Sequence, residues 1–401
     1  MTRKKSIYRS SIFSLWPLAF NLKSLAFSLW PLALSFTCSA QDTLPATLQW
    51  SEYRTFTDPV VTDSAEPMSL YLRMHSTSYF KNNEYKNDFL TGYTLVGMYF
   101  EPVLEFNPDA KTSIYAGVHL LKYFGRDRFE RKLPVISLRY TPNRNFSMIF
   151  GTLYGTTSHG LPEPMYDFEQ YLTNNYENGI QLLWNYPSFR GDVWLNWEQF
   201  IRKGDPFQEK FTVGANTEFQ LVHGKKLNLS VPFAVLFRHC GGEIDATNLP
   251  AETRSNLLMG FRAGWDFGTR WVKSVWFDQE WIEFLEINPG DQITVTNGRG
   301  RYTRSGMETR IGSFELGYWN ADDFISPHGM PLFQSVSQKY PDFFLSKREM
   351  LILKYEFHRS LTPFLDFALR IEPYYHFYTG RMDHSWSLYL KFNDRFFWGK
   401  L

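Results

Sequence analysis

A serine beside a histidine is the combination in this sequence that could support nucleophilic chemistry. Ser158-His159 and His75-Ser76 are such pairs, and a histidine that accepts the serine proton turns the hydroxyl into a nucleophile. Neighbouring residues of a strand point to opposite faces, so neither pair aligns without a bend. The sequence also has no Gly-rich phosphate loop, His-Glu-x-x-His motif or paired cysteines. It therefore predicts a protein that is not an enzyme, with a hydrolase as the least favoured alternative.

A second motif occurs twice in long, polar stretches of the chain. His159-Gly160-Leu161-Pro162 is echoed by His328-Gly329-Met330-Pro331. One interpretation is that both stretches fold over or into the mouth of a barrel and set the size of its opening. The alternative, which we favour, is turn chemistry, because Gly and Pro suit a rigid bend. His159, Glu163, Asp167 and His328 are the mouth-loop candidates.

Acidic residues cluster near both motifs, and calcium prefers carboxylate oxygens. No Asp-x-Asp-x-Asp spacing accompanies them, so we interpret them as solvated charges and expect neither a metal nor another cofactor. Cys240 is the one cysteine outside the N-terminal leader, which excludes an intramolecular disulfide. The acidic residues are Glu163, Asp167, Glu169, Glu177, Asp322 and Asp323.

The elements that carry these residues show a two-residue rhythm. Leu365, Phe367, Leu369 and Ile371 alternate with Asp366, Ala368, Arg370 and Glu372, so one face of the strand is apolar and the other is polar. The rhythm continues from Met68 almost to the C-terminus, and aromatic residues make up 18% of the chain. This pattern predicts an all-β fold, a single antiparallel transmembrane β-barrel with lipid outside and water inside. A secreted β-sandwich or propeller is the alternative fold.

Connections of alternating length set the predicted strand number. Seven short turns and eight longer, more polar loops make fifteen connections, which join sixteen strands and place both termini in the periplasm. The segment 285–313 could hide a hairpin, so fourteen or eighteen strands also agree with the pattern. The predicted turns are 107–111, 141–145, 187–190, 222–226, 268–270, near 312–313, and 359–363. The predicted outer loops are 77–90, 124–133, 155–176, 201–210, 238–256, 285–306, 320–349 and 378–383.

The cost of placing charge in lipid assigns the faces of the strands. An Arg or Lys that faced lipid near the midplane would cost ~2–4 kcal/mol, so the charged face looks into the lumen. The lipid face includes Val193, Leu195, Trp197, Phe211, Val213, Ala215, Met259, Phe261, Ala263, Trp386, Leu388, Leu390 and Phe392. The lumen or constriction candidates are Arg73, Arg139, Glu198, Glu218, Arg262, Asp266, Glu308, Arg310, Lys354, Glu356, Asp366, Arg370 and Glu372; His75 and Lys391 share that face.

The N-terminus reads as a secretory leader. Arg3, Lys4, Lys5 and Arg9 precede an apolar stretch, and Cys38-Ser39-Ala40 provides small residues before a cleavage site at Gln41. We therefore predict a signal peptide over 1–40, a periplasmic lead-in over 41–66 and an outer-membrane barrel over 67–401. A net charge of +1 gives no basic footprint for nucleic acid.

The predicted last strand, about His384 to Phe392, resembles the terminal strand of outer-membrane porins. Phe396-Phe397-Trp398 is a second candidate for the signal that the barrel assembly machinery reads. The likeness to porin-type barrels covers the mature chain as a pattern and implies an integral outer-membrane protein in contact with lipid. Mixed lumen charges then favour a channel for small polar solutes. A plugged barrel that binds or scaffolds through its outer loops is the alternative, and the sequence leaves the oligomeric state open.

Overall fold

Sixteen antiparallel strands form one closed barrel in which β1 pairs with β16. The structure is a computed structural model and describes residues 66–288 and 295–401, so the predicted signal peptide and nearly all of the lead-in lie outside the described residues. The predicted fold class and strand number are confirmed. The strands are β1 (Ser69–Glu84), β2 (Thr94–Asn107), β3 (Thr112–Tyr123), β4 (Arg131–Asn143), β5 (Phe146–Thr152), β6 (Asn178–Tyr186), β7 (Phe189–Gln199), β8 (Lys210–His223), β9 (Leu227–Cys240), β10 (Glu252–Asp266), β11 (Val272–Glu286), β12 (Asn297–Thr309), β13 (Gly312–Asp322), β14 (Lys347–Thr362), β15 (Leu365–His376) and β16 (Arg381–Lys400).

Alternation along each strand separates a lipid face from a lumen face. In β16 the outward Leu388 and Leu390 are exposed, whereas the inward Ser385, Ser387 and Tyr389 are buried. Strand residues point alternately to the two faces, so one sequence rhythm produces both the apolar belt and the polar lumen. Within the described residues, no helix is long and apolar enough to span a membrane.

The connections alternate between short turns and longer loops, as predicted. Several strand bounds differ from the prediction, among them the start of β12, which begins at Asn297 within the predicted loop 285–306. The stretch 77–84, predicted as part of a loop, belongs to β1 and pairs with β2 and β16. Its polar Lys81 and Asn83 suggest a loop, but both bond the buried Glu169 in the lumen. The last strand was expected to end at Phe392, but it continues to Lys400.

The two longest connections fill the outer half of the lumen. We call residues 153–177 and 323–346 together the plug. Short helical turns shape it: 3₁₀ turns at Thr156–His159 and Pro331–Phe333, and helix α1 at Gln170–Thr173. Its apolar side chains pack against the inward faces of the strands, and the buried ones include Leu161, Met165, Tyr166, Phe168, Leu172, Phe324, Leu332 and Phe333.

The barrel wall is incomplete beside the first plug segment. β5 has seven residues and ends at Thr152, and β6 begins only at Asn178. Pairing of β4 with β5 starts at Ser137, so β4 residues 131–136 have no β5 partner in the described register. We call this stretch of the outer wall the notch. Plug residues lie along it, where Tyr176 donates to the carbonyl of Pro134 and Arg131 donates to Asn174 at 2.5 Å.

Candidate functional site

Three inward side chains of neighbouring strands meet at the level of the notch. Glu101 of β2 lies between His119 of β3 and His75 of β1. The Glu101 carboxylate is 2.5 Å from Nδ1 of His119 and 3.4 Å from Nδ1 of His75. The His119 ring is almost wholly buried, whereas about a fifth of the Glu101 side chain is exposed. A carboxylate on Nδ1 fixes the tautomer of an imidazole and leaves Nε2 as the proton acceptor.

A small polar cavity of about 60 Å³ joins this cluster to the plug and the notch. Glu101 lines its lumen side, Thr157 and Ser158 line its plug side, and Val135 and Thr152 belong to the strands that border the notch. The cavity therefore combines hydroxyl groups, a carboxylate paired with imidazole and proximity to the lipid-facing wall. We call it the notch cavity.

Hydroxyl groups connect the cavity with the wall behind it. Tyr171 of α1 lines the cavity, and its hydroxyl is 3.0 Å from Thr77 Oγ1. Thr77 in turn donates to the hydroxyl of Tyr99 at 3.0 Å. The Tyr99 ring lies edge-on to His75, with ring centroids 5.3 Å apart. This chain holds α1 against β1 and β2 and so fixes the plug side of the cavity relative to Glu101.

The first His-Gly-x-Pro motif is held inside the lumen by carboxylates. His159 Nδ1 is 2.8 Å from Asp192 and Nε2 is 3.1 Å from Glu177. Its ring stacks on Trp194, with centroids 3.6 Å apart and planes 12° apart. Because both ring nitrogens face carboxylates, His159 anchors the plug and is unsuited to act as a base toward the neighbouring Ser158.

The second motif meets the first through one tyrosine. Tyr166 donates to Glu177 at 2.5 Å and stacks on the His328 ring at 5.2 Å. His328 Nε2 lies 3.2 Å from Glu198 and 2.7 Å from Thr212. The two motifs therefore act as a latch between the two plug segments, and they lie within the lumen instead of at a rim. Turn chemistry is also present, since Gly160 has a φ of +66°.

The latch depends on the charge of His159. Burial alone would lower the pKa of His159, but Glu177 and Asp192 outweigh it and raise the pKa from 6.5 to about 9. A pKa raised by folding contributes stability that is complete below about pH 6.5 and is lost as the pH rises through about 9. We therefore expect proteolysis within residues 153–177 to accelerate with a midpoint near pH 9. In a His159→Gln variant this step should disappear, and an unchanged step there would contradict the assignment.

Gly329 places the two plug segments in close backbone contact. A Cβ atom at this position would lie 2.0 Å from the carbonyl oxygen of Pro164, which belongs to the other segment. Gly329→Ala should therefore destabilise the latch by about 1–3 kcal/mol and lower the thermal midpoint of the purified barrel. Gly399→Ala is the matched control, because nothing lies within 4 Å of a Cβ there. Equal midpoints for the two variants would show that the plug adjusts freely.

Most of the predicted lumen charges face the lumen and pair with other charges. Lys354 binds plug Glu163 at 2.8 Å, and Arg370 binds Glu372 at 2.6 Å. Arg262 contacts Asp278 and Glu280, both at 2.9 Å. The remaining contacts are Arg73 with Glu105, Arg139 with Tyr154, Glu198 with Arg238, Glu218 with Arg262, Glu308 with Ser313, Glu356 with Arg370, and Asp366 with His358. Whether any of them forms a constriction stays a prediction.

Two predicted positions lie at the periplasmic end, away from the lumen pairs. Arg310 is exposed in the β12–β13 turn, with its guanidinium 5.6 Å from the centre of the Trp271 ring. Its placement in the lumen was wrong, because the turn comes at 310–311 and not at 312–313. Asp266 is the last residue of β10, and its N–H bonds the carbonyl of Lys226. Asp167 lies inside the plug, where its N–H bonds the carbonyl of His328.

Sequence reasoning missed Glu101 and His119. His119 lies on the buried face of β3 together with Tyr115 and Leu121, so the two-residue rhythm of the strand could have identified His119 as an inward residue. Pairing of Phe100 with Leu120 brings Glu101 beside His119, and this strand register cannot be inferred from the sequence. In the described part of the chain, no three His, Cys, Asp or Glu side chains come together as metal ligands.

The chain belongs to the Lipid A 3'-O-deacylase-type family. The family model matches residues 62–401, a range that includes the whole described barrel. The prediction that the protein is not an enzyme was therefore wrong. That prediction considered only serine–histidine pairs adjacent in the sequence, whereas the hydroxyls of Thr157 and Ser158 and the carboxylate of Glu101 come from distant segments and line one cavity. No curated protein matches the sequence.

Several outer-membrane proteins of known structure are similar in shape. OprD from Pseudomonas aeruginosa is 11% identical with a TM-score of 0.49, covering 84% of this chain and 97% of that one. The in-vitro folded trimer form of OmpT from Vibrio cholerae is 6% identical with a TM-score of 0.48, covering 82% and 100%. OpdL from P. aeruginosa is 9% identical with a TM-score of 0.48, covering 81% and 99%. At these identities and TM-scores the likeness concerns barrel shape alone and says nothing about what this chain does.

Proposed function

We propose that this protein is an outer-membrane esterase that removes an ester-linked acyl chain from a lipid A-type glycolipid. The observation that carries the proposal is the notch cavity, in which Thr157 and Ser158 share a polar space with the paired Glu101. Family membership supports the reaction class, and the position of the cavity beside the lipid-facing wall supports a membrane lipid as substrate.

The residues of the cavity, together with His119, which contacts Glu101 at 2.5 Å, suit acyl transfer to water. Ser158 supplies the nucleophile, and the His119–Glu101 pair accepts its proton as the Oγ–acyl bond forms. The proton then passes to the sugar oxygen as its bond to the acyl carbon breaks, and water attacks the acyl-enzyme in the same way. Glu101 stabilises the imidazolium that forms at His119, which is the part that the carboxylate plays in a Ser-His-Asp arrangement.

Access from the membrane supports this assignment. A glycolipid of the outer leaflet lies against the outer half of the barrel wall, which is the level of the notch. β4 residues 131–136 lack a β5 partner in the described register, so the wall there is covered by plug residues 174–176 and not by a strand. Side-chain contacts such as Arg131 with Asn174 separate at lower cost than a row of strand hydrogen bonds.

Release of a single acyl chain tests the proposal. The purified barrel in detergent micelles is incubated with hexa-acylated lipid A, and mass spectrometry follows the loss of one ester-linked acyl chain. Ser158→Ala should abolish the loss, and Ser188→Ala in an exposed periplasmic turn should leave it unchanged. Absence of hydrolysis by the native barrel, or equal rates for the two variants, would overturn the assignment.

A diffusion channel for small polar solutes is the second candidate. The sixteen-strand circumference favours it, because barrels of this size leave an aqueous lumen when nothing fills them. The mixed charges of the wall agree with weak ion selectivity. The plug opposes it, so this function requires that residues 153–177 and 323–346 move.

We also propose that the leader is removed after Ala40. The basic start, apolar stretch and small residues before Gln41 support this cleavage. N-terminal sequencing of protein from the outer-membrane fraction should begin at Gln41. A start at Met1 would contradict the proposal.

A further inference from the structure

A strongly basic stretch of the chain borders the notch. We call residues 122–132 the basic rim, which comprises the outer end of β3, the β3–β4 loop and the start of β4. It contains five cations and two acids, Asp127 and Glu130, which gives a net charge of +3. The cations are Lys122, Arg126, Arg128, Arg131 and Lys132.

Two other loops at the same end of the barrel lack this excess of positive charge. The β7–β8 loop, 200–209, has two cations and two acids, and the β9–β10 loop, 241–251, has two acids and no cation. Both loops lie on parts of the wall away from the notch. The positive charge of the basic rim is therefore a local feature of the notch side.

Two lysines of the basic rim lie where the lipid face of the barrel ends. On β4, Lys132 shares the outward face with the exposed Ile136 and Leu138. Lys132 pairs with Leu120 of β3, and Lys122 follows two residues later on the outward face of β3. A lysine at the end of an apolar belt lays its stem along lipid and holds its ammonium group at the headgroup level. The rim therefore lies at the level of lipid headgroups.

The β3–β4 loop combines its cations with exposed aromatic rings. Phe124 is 54% exposed and Phe129 44% exposed, and the Lys132 ammonium lies 5.5 Å from the centre of the Phe129 ring. Arg126 contacts Glu130 at 3.0 Å, although its side chain is 67% exposed. Large rings beside cations are typical of a surface that meets a membrane interface. They favour a lipid headgroup over a free anion or an acidic protein as the occupant of the rim.

The basic rim also contacts the plug residues that cover the notch. Arg131 donates to Asn174 at 2.5 Å. The next two plug residues, Asn175 and Tyr176, line the notch cavity together with Ser158. A headgroup bound by the rim therefore lies beside the notch, and its acyl chains lie along the adjoining lipid face.

We propose that the basic rim binds the phosphate groups of a phosphorylated glycolipid and so positions the acyl chains of that lipid at the notch. The identity of the lipid rests on the proposed function, since lipid A carries phosphates on its sugar backbone. Arginine donates paired N–H groups to phosphate oxygens, and cations near a membrane surface attract anionic lipids. The rim is thus a recognition surface separate from the residues that act on the ester.

Binding to the inactive Ser158→Ala barrel tests recognition without hydrolysis. Native mass spectrometry in detergent micelles gives the dissociation constant for bisphosphorylated lipid A and for the same lipid A after its phosphates are removed. Adding Arg128→Gln and Lys132→Gln should raise the constant for the bisphosphorylated lipid by about tenfold or more and leave the other constant unchanged. Arg202→Gln with Lys203→Gln is the matched control, because this pair also removes one exposed arginine and one exposed lysine. The control should leave both constants unchanged.

The outcomes separate phosphate recognition from other effects. A loss of affinity that needs both the rim substitutions and the phosphates supports the proposal. Equal losses in the rim pair and the control pair overturn it in favour of net charge, and equal losses for the two lipids overturn it in favour of apolar contact. Unchanged constants overturn it and leave the rim as solvated charge.

Hydrolysis by the barrel with Ser158 intact distinguishes this proposal from the proposed function. There the rim pair should raise KM for bisphosphorylated lipid A and leave kcat unchanged, because the rim binds the lipid away from the ester. If the native barrel releases no acyl chain but binds lipid A through the rim as expected, the proposed function fails and the rim assignment stands. Hydrolysis with a KM that the rim pair does not change overturns the rim assignment alone.

Discussion

Glu101→Gln should slow acyl release by about 10²- to 10⁴-fold. Glu101 lines the notch cavity and lies 2.5 Å from Nδ1 of His119. The amide keeps the size of the side chain but removes the charge that stabilises an imidazolium at His119. The rate is measured as acyl chain lost from lipid A per barrel, with the heat-modifiable gel mobility of each variant confirming a folded barrel.

Two further variants separate catalysis from packing. His119→Gln should reduce the rate to a similar extent, and the double variant should lose little more, because the two residues act as one unit. Glu198→Gln is the matched control, since Glu198 is also a carboxylate beside a histidine, His328, but does not line the cavity. If the control falls as far as Glu101→Gln, loss of a buried carboxylate of any kind would explain the result, and the assigned role of Glu101 would be wrong.

The barrel itself follows from local patterning. Alternation such as that of Leu365 to Glu372 forces one polar face and one apolar face, and the short turns rich in Pro, Asn and Gly mark where strands reverse. Both signals are local, so the strand number and most strand bounds were predictable. The errors lie where local chemistry misleads. Lys81 and Asn83 resemble loop residues because their partner, Glu169, is distant in the chain.

The candidate site was far less accessible from sequence. Its hydroxyls come from a plug segment and Glu101 from β2, and only the closed barrel brings them to one cavity. His119 of β3 contacts Glu101 there. The sequence also left open whether the two long connections fold into the lumen. Polar loops normally lie in water, yet Glu163 and His159 are buried because Lys354, Glu177 and Asp192 supply partners inside the lumen. The decisive contacts are those between distant segments.

Native protein should be silent in a planar bilayer, and removal of the plug should open a stable channel. Shortening both plug segments, by replacing 156–172 and 325–341 with brief Gly-Ser linkers, leaves the sixteen strands intact. A lumen of this size then fills with water. Single-channel recording should change from no steps to long-lived steps with weak ion selectivity, because charges of both signs line the wall.

A deletion in another outer loop provides the control for that change. Shortening 242–250, in the β9–β10 connection, removes a segment of similar polarity that lies outside the plug. This variant should stay silent. Glu163→Gln offers a milder test, since it removes the negative charge that pairs with Lys354 at 2.8 Å, and breaking a buried ion pair costs about 3–5 kcal/mol. Brief, flickering openings are expected there. Steady conductance in the native protein would contradict the plugged lumen and would restore the diffusion channel as the leading function.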